Sequence, residues 1–410
     1  MKNDQHQNDQ DVSARAARTQ ETDGLPAMVT NMLQDALHVN ATDIHVDPIG
    51  MDLYRICYRV DGRIHPQKEI PIEKGRQLVN QIKVAAGFTP DHAFAALENR
   101  IAFKHKDAPR ELRVTIVPTT RREAAHLRFL SPPAEVFRPS ELGLSKPNLE
   151  SIQRTLKHLE GLILITGPTG AGKTMTLYSL ASFLDLTSMV AVSVEDPVEF
   201  DLGYVRQIGA DPEHGFAMAQ ALKTVLRTDP DIILIGEIRD AESALTAIRA
   251  AASGRFVLAT MHAADMPLAV EACQYFSVPP HLLGSTLRMV VSQNLLRRVC
   301  PACVQKRSLS EQEQALFRNA NMAVPTHVPV AAGCPKCHNL GYQGRTGIFQ
   351  VTQIDREMAA VITQKQSAAV LRQKSTKSKC PSLRQDALAK VTAGVTTIEE
   401  VLDLHVPGGS

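Results

Sequence analysis

The string Gly167-Pro168-Thr169-Gly170-Ala171-Gly172-Lys173-Thr174 carries the residue types a polyphosphate needs, at the spacing at which they can act together. Gly167, Gly172, Lys173 and Thr174 occupy the fixed positions of a phosphate loop. Glycines let the backbone curl until its N–H groups point at phosphate oxygens, and a helix starting just after the loop adds its positive N-terminal end. In that arrangement Lys173 neutralises the β and γ phosphates, and Thr174 sets its hydroxyl on Mg²⁺. The chemistry indicated is the binding and hydrolysis of Mg-ATP.

Such a loop works only between a buried strand and a helix, and both are legible. Residues 162–165 form an apolar run that ends one residue before the loop, and residues 175–184 read as a helix. From Gly161 to about Val291 short apolar runs alternate with helical stretches, which is the texture of buried parallel strands joined by crossover helices. The other runs are 189–194, 232–235 and 256–260. In an open parallel sheet ligands bind beyond the carboxyl ends of the strands. The polar residues after each run should therefore meet at the nucleotide: Glu195 and Glu199 after the second, Glu237 after the third, His262 after the fourth. Glu237 is the expected group to orient or polarise the attacking water. Glu195 and Glu199 would hold Mg²⁺ through water or assist Glu237, and His262 would sense the γ-phosphate.

A second chemistry is written in Cys300-Pro-Ala-Cys303 and Cys334-Pro-Lys-Cys337. Four thiolates in two Cys-x-x-Cys knuckles suit a tetrahedral Zn²⁺, and a closed four-cysteine site has a structural role because no position is left open for catalysis. Thirty residues separate the knuckles, so a helix or insertion must loop out between them. Asp43, His45 and Asp47 share one face of an expected strand and imitate a metal site, but are read as structural. Cys57, Cys273 and Cys380 are read as packed thiols.

Around these sites the chain divides by texture. Residues 1–25 are a polar tail expected to be disordered. Residues 26–130 are a small α/β domain, with a helical pattern at 28–37 and alternating, strand-like patterns at 53–60 and 112–117. Residues 131–146 are a Pro-bearing linker, 147–299 the P-loop domain, 300–348 the zinc module and 349–410 a helical subdomain broken at Gly394. The overall fold class is α/β. With 45 basic and 43 acidic residues the formal charge is +2, and the chain has 4% aromatic residues and no Trp. That leaves little for phosphate neutralisation or base stacking, so no nucleic-acid partner is expected. No run of about 18 apolar residues occurs, so a soluble cytoplasmic chain is expected.

With these motifs in hand, the sequence resembles the secretion ATPases of type II secretion and type IV pilus assembly over about residues 30–405. VSVEDPVEF at 192–200 resembles the acidic box of that family, LRTDPDIILIGEIRD at 226–240 its Walker B segment, and GRFVLATMH at 254–262 its histidine box. ATDIHVDP at 41–48 and YRVDGRI at 58–64 resemble its second N-terminal domain; GYQGRTGIF at 341–349 and GVTTIEEVL at 394–402 resemble its C-terminal elements. The resemblance implies a RecA-like motor domain, a PAS-like N-terminal domain, and a homo-hexamer with ATP sites at their junction. It also implies peripheral attachment to the inner face of the bacterial cytoplasmic membrane through a platform protein, alongside other secretion or pilus components. By the same analogy Arg113, Arg128, Lys223 and Arg227 reach phosphates. Lys223, Arg255 and Ala264 stand where the family usually has Arg, His and Asn. Those three positions motivate one alternative, a nucleotide-binding scaffold without hydrolysis; a nucleic-acid translocase gripping through the zinc module is another.

Overall fold

The computed structural model describes residues 25–90, 95–105, 108–130, 138–211, 215–375 and 380–404. Residues 1–24 of the expected tail and the start of the expected linker, residues 131–137, lie outside them, whereas Leu25, counted with the tail, is buried. The chain forms two compact units, Met1–Pro132 and Pro133–Ser410.

In the first unit, apolar residues at helical spacing build α1 (Ala27–His38), which buries Val29, Met32, Leu33 and Ala36. Strands β1 (Asp43–Ile49), β2 (Leu53–Val60) and β3 (Arg63–Pro71), helix α2 (Ile72–Ala85), and strands β4 (Leu97–His105), β5 (Ala108–Pro118) and β6 (Glu123–Leu130) follow. They form one antiparallel sheet in the order β3-β2-β1-β6-β5-β4. Side chains alternate across a strand. One face carries Ile44, Val46, Val114, Ile116 and Leu127, all buried, and the other carries Asp43, His45, Arg113 and Arg128.

The second unit begins with α3 (Lys146–Leu156), β7 (Gly161–Thr166), α4 (Lys173–Ala181), β8 (Ala191–Glu195) and β9 (Arg206–Gly209). It continues through α5 (Met218–Val225), β10 (Ile232–Ile238), α6 (Ala241–Ala252), β11 (Phe256–Met261), α7 (Met266–Tyr275), α8 (Pro280–Thr286) and β12 (Leu287–Val299). The sheet order is β15-β12-β7-β11-β10-β8-β9, parallel throughout except for the edge pair of β12 with β15 (Tyr342–Gln353). The apolar runs are continuous because both faces are covered. On β7, Leu162 and Leu164 join the layer of α5 and α6, while Ile163 and Ile165 join the layer of α3 and α4.

Beyond β12 come β13 (Val304–Arg307), α9 (Glu311–Asn319), β14 (Val328–Ala331) and, after β15, α10 (Arg356–Thr363), α11 (Ala368–Ser375), α12 (Leu383–Thr392) and α13 (Ile398–Leu402). Helix α9, started by a capping box at Ser310 and Glu313, is the segment that loops out between the two cysteine knuckles. The last helices are shared between two cores. Met358, Val361, Ile362 and Leu371 pack into the core of the parallel sheet, whereas Leu383, Leu388, Val391 and Ile398 pack with Phe317 and Val328 of the cysteine-bearing segment. The expected division into residues 300–348 and 349–410 therefore cuts through β15 and through a common core.

Candidate active site

The phosphate loop leaves β7 at Thr166 and enters α4 at Lys173. Gly172 adopts φ +81, a left-handed conformation that glycine takes without steric cost. At Gly167 the constraint is closeness: a Cβ there would lie 2.4 Å from the Gln293 carbonyl oxygen. Pro168, Thr169 and Gly170 are exposed and Ala171 is buried. The Lys173 ammonium donates to the carbonyls of Gly167 at 3.0 Å and Pro168 at 3.1 Å, so the loop wraps its own cation. Burial lowers the Lys173 pKa, Glu237 opposes that shift and Arg239 adds to it. Thr174, half-buried, follows on the first turn of α4.

Sheet order brings the acid to this lysine. Strand β11 lies between β7 and β10. At the end of β10 the register with β11 shifts between Ile235 and Ile238, a bulge that re-aims the intervening residues. Glu237 Oε1 lies 4.0 Å from Lys173 Nζ and 2.6 Å from His262 Nε2, and His262 Nδ1 lies 3.1 Å from Lys173 Nζ. Of the strand-end residues expected at the nucleotide, the structure brings Glu237 and His262 together at Lys173, the first residue of α4. Glu237 is 13% exposed against 46% for His262, so the carboxylate sits inside and the imidazole at the rim.

Other expected residues lie elsewhere. Glu195 is 1% exposed and accepts hydrogen bonds from Tyr178, from Ser193 at 2.5 Å and from Gln207 at 3.1 Å. At that depth it supports the end of β8 and is shut off from a water-borne ion. Burial and the Glu195 contact push the Tyr178 phenol pKa upward. Glu199 is exposed. Lys223 is ion-paired with Glu242, and Arg227 is exposed in the turn Leu226–Thr228. Among the described residues, no hydrogen bond or ion pair joins either to residues 167–174. In the first unit Arg113 and Arg128 are direct cross-strand partners, one paired with Glu98 at 2.5 Å and the other with Asp43 at 2.8 Å. Asp43 also accepts from His126 at 3.0 Å and Thr42 at 2.8 Å, and His45 stacks on His126 at 4.6 Å.

Sequence reasoning missed the residues that brace the site. Gln293, 1% exposed on β12, donates to the Ala171 carbonyl at 2.5 Å, and neighbouring Ser292 accepts from Thr166 at 3.0 Å. Arg239 holds Glu237 Oε2 at 2.5 Å and Asp196 at 3.0 Å.

The four expected cysteine ligands gather with their sulfur atoms all within 4.8 Å of one another. Cys300 to Cys334 is 4.0 Å, and Cys303 to Cys337 and Cys334 to Cys337 are each 3.8 Å. A tetrahedron with Zn–S of about 2.3 Å has sulfur–sulfur edges of about 3.8 Å, so the set fits zinc. Burial would raise the Cys337 thiol, but the N–H groups of Cys334 and Gly341, each 3.2 Å from its sulfur, together with hydrogen bonds from the Cys334 and Cys303 thiols, outweigh that and bring it to about 7. Such donors favour the thiolate a metal requires.

Strand, phosphate loop, facing carboxylate and rim histidine define a P-loop ATPase. The family described as "Type II/IV secretion system protein" matches residues 18–403. Type II secretion system protein HxcR of Pseudomonas aeruginosa is 35% identical over 93% of this chain and 77% of its own length. Type IV pilus assembly ATPase PilB of Myxococcus xanthus is 33% identical over 93% of this chain and 68% of its own length. Among solved structures, the ATPase DotB of Legionella pneumophila shares the fold at a TM-score of 0.66 with 18% identity, over 94% of this chain and 98% of DotB. The chain belongs to the type II/IV secretion system protein family.

Proposed function

We propose that this chain hydrolyses Mg-ATP as a homo-hexameric motor and that the work drives assembly of a type IV pilus or a type II secretion pseudopilus. The observation that carries the reading is the triangle of Lys173, at the start of α4, with Glu237 and His262 at the ends of the adjacent strands β10 and β11. Lys173 and the N–H groups of the loop bind the phosphates. Glu237 aligns a water on the γ-phosphorus and takes its proton as the bond to the ADP oxygen breaks. His262 reports the presence of the γ-phosphate. Mg²⁺, held by Thr174 and through water by Glu199, would spread the charge of the β and γ oxygens. Arg113 and Arg128 act on the phosphates as forks, and Lys223 and Arg227 add further positive charge. The acidic and basic side chains nearly balance, which supports work on protein partners in preference to nucleic acid. Those partners are an inner-membrane platform protein and other assembly components, met at the inner face of the cytoplasmic membrane. No described helix is long and apolar enough to cross a membrane, consistent with attachment through such partners.

The test is steady-state ATPase activity of the purified chain beside Lys173→Ala. The parent is expected to turn over ATP and the variant to lose turnover by at least ~10³-fold while keeping its circular dichroism, since Lys173 supplies charge to phosphate. A parent that binds ATP without turnover would overturn the reading. Metal analysis is expected to find one Zn²⁺ per chain, lost in the Cys300→Ser, Cys334→Ser double variant together with the fold of the segment around α9. Unchanged zinc in that variant would remove the four-cysteine assignment.

A further inference from the structure

We infer that Arg239 is a positioning residue for hydrolysis: its guanidinium ties the carboxylate of Glu237 to that of Asp196 and so fixes the orientation in which Glu237 meets the attacking water. The inference rests on the role proposed for Glu237. Arg239 Nε lies 2.5 Å from Glu237 Oε2 and Arg239 Nη1 lies 3.0 Å from Asp196 Oδ2. Glu237 Oε1 is held from the other side by His262 at 2.6 Å. A carboxylate gripped at both oxygens from opposite sides has one orientation, and a single free oxygen would leave its terminal torsion loose.

The bridge joins segments far apart in sequence. Asp196 follows β8 and Glu237 ends β10, and those strands are hydrogen-bonded neighbours. Between them Gly236 leaves room: a Cβ there would sit 3.1 Å from Glu195 Cα. Arg239 itself is 58% exposed and Asp196 37%, whereas Glu237 is 13% exposed. A surface arginine that spends two nitrogens on two acids contributes little to stability, because exposed pairs are screened. Its effect lies in the placement of the one buried partner. Lysine cannot replace it, since an ammonium has no fork with which to span two carboxylates at fixed angles.

The experiment measures kcat, KM and melting temperature on the full chain for Arg239→Ala and Arg239→Lys, each alone and combined with Asp196→Asn. Arg239→Ala is expected to lower kcat by about 10-fold or more with KM within about twofold and the melting temperature unchanged, and Arg239→Lys to restore little of it. In the Asp196→Asn background the same change should cost less than about 3-fold, because the bridge is already cut. A merely structural arginine would move the melting temperature and give the same factor in both backgrounds. The inference is overturned by kcat within twofold of the parent, by a rise in kcat, by a change confined to KM, or by full additivity with Asp196→Asn. If the parent itself shows no turnover, the reading of Glu237 falls and this inference with it; a turning-over parent with an indifferent Arg239 sinks the inference alone.

Discussion

Asp43 in the first unit and Glu237 in the second are both carboxylates held by a histidine and an arginine, at 3.0 and 2.8 Å in one case and 2.6 and 2.5 Å in the other. Listed by residue type, the clusters are nearly alike. They differ in backbone. Asp43 lies on the face of an antiparallel sheet, where Thr42 completes its shell and Arg59 stands 3.6 Å away. Glu237 lies at the carboxyl edge of a parallel sheet, beside the glycine loop, with Lys173 at 4.0 Å. Burial raises the Asp43 pKa, but hydrogen bonds from His126, Arg128 and Thr42 outweigh it and hold the carboxyl well below its usual range. The difference teaches that basic company alone does not mark out a catalytic acid; what sets Glu237 apart is its place where a strand ends beside a phosphate loop, and the proposed role rests on that place.

The comparison can be sharpened at the arginine that belongs to the quieter cluster. Arg113 and Arg128 are neighbours across β5 and β6, and both are half-exposed despite their pairing, at 46% and 56%. If they serve the phosphates, Arg113→Ala and Arg128→Ala should each lower kcat by roughly 10-fold or more with little change in ATP affinity. Steady-state kinetics on assembled protein read this out, and near-parent kcat in both variants would confine the first unit to a passive part. A smaller effect is expected at Asp43. Asp43→Asn should leave kcat within about twofold and cost about 1–3 kcal/mol of stability in denaturant unfolding, the range for hydrogen bonds to a buried charge. The folded-state pKa is depressed, so the stabilisation is complete above the unfolded value of about 3.9 and is lost as pH falls through the folded value. Parent and variant stabilities should begin to approach each other as pH falls below about 4 and meet only below the depressed folded value. A turnover defect in Asp43→Asn as large as that of the arginine variants would erase the distinction.

What could be read from the sequence was what local pattern encodes. Strands β7, β8, β10 and β11 announce themselves as continuous apolar runs because both faces are buried, and the loop, Glu237, His262 and the cysteines follow from spacing. Strand β12 did not, although it adjoins the loop strand: Ser292, Gln293 and Asn294 interrupt its apolar run. Gln293 meets Ala171 across 122 residues, and Arg239 meets Asp196 across 43, so no window of sequence contains either contact. A buried-type amide inside an otherwise apolar run was the one available signal for Gln293. Strand β3 was silent for another reason, being exposed along most of both faces and so lacking alternation. Glu195 was legible as a strand-end acid, but its burial depends on Tyr178, Ser193 and Gln207, which only the packed sheet brings together.

The central claim is that Glu237 carries the chemical step and not the binding of nucleotide. Rapid-quench single-turnover measurement with γ-labelled ATP on Glu237→Gln, set beside equilibrium binding of the same nucleotide, tests it most directly. Binding is expected within about threefold of the parent, with phosphate release slowed by about 100-fold or more and ATP recovered intact from the protein. Labelled phosphate appearing at the parent's rate from Glu237→Gln would contradict the account.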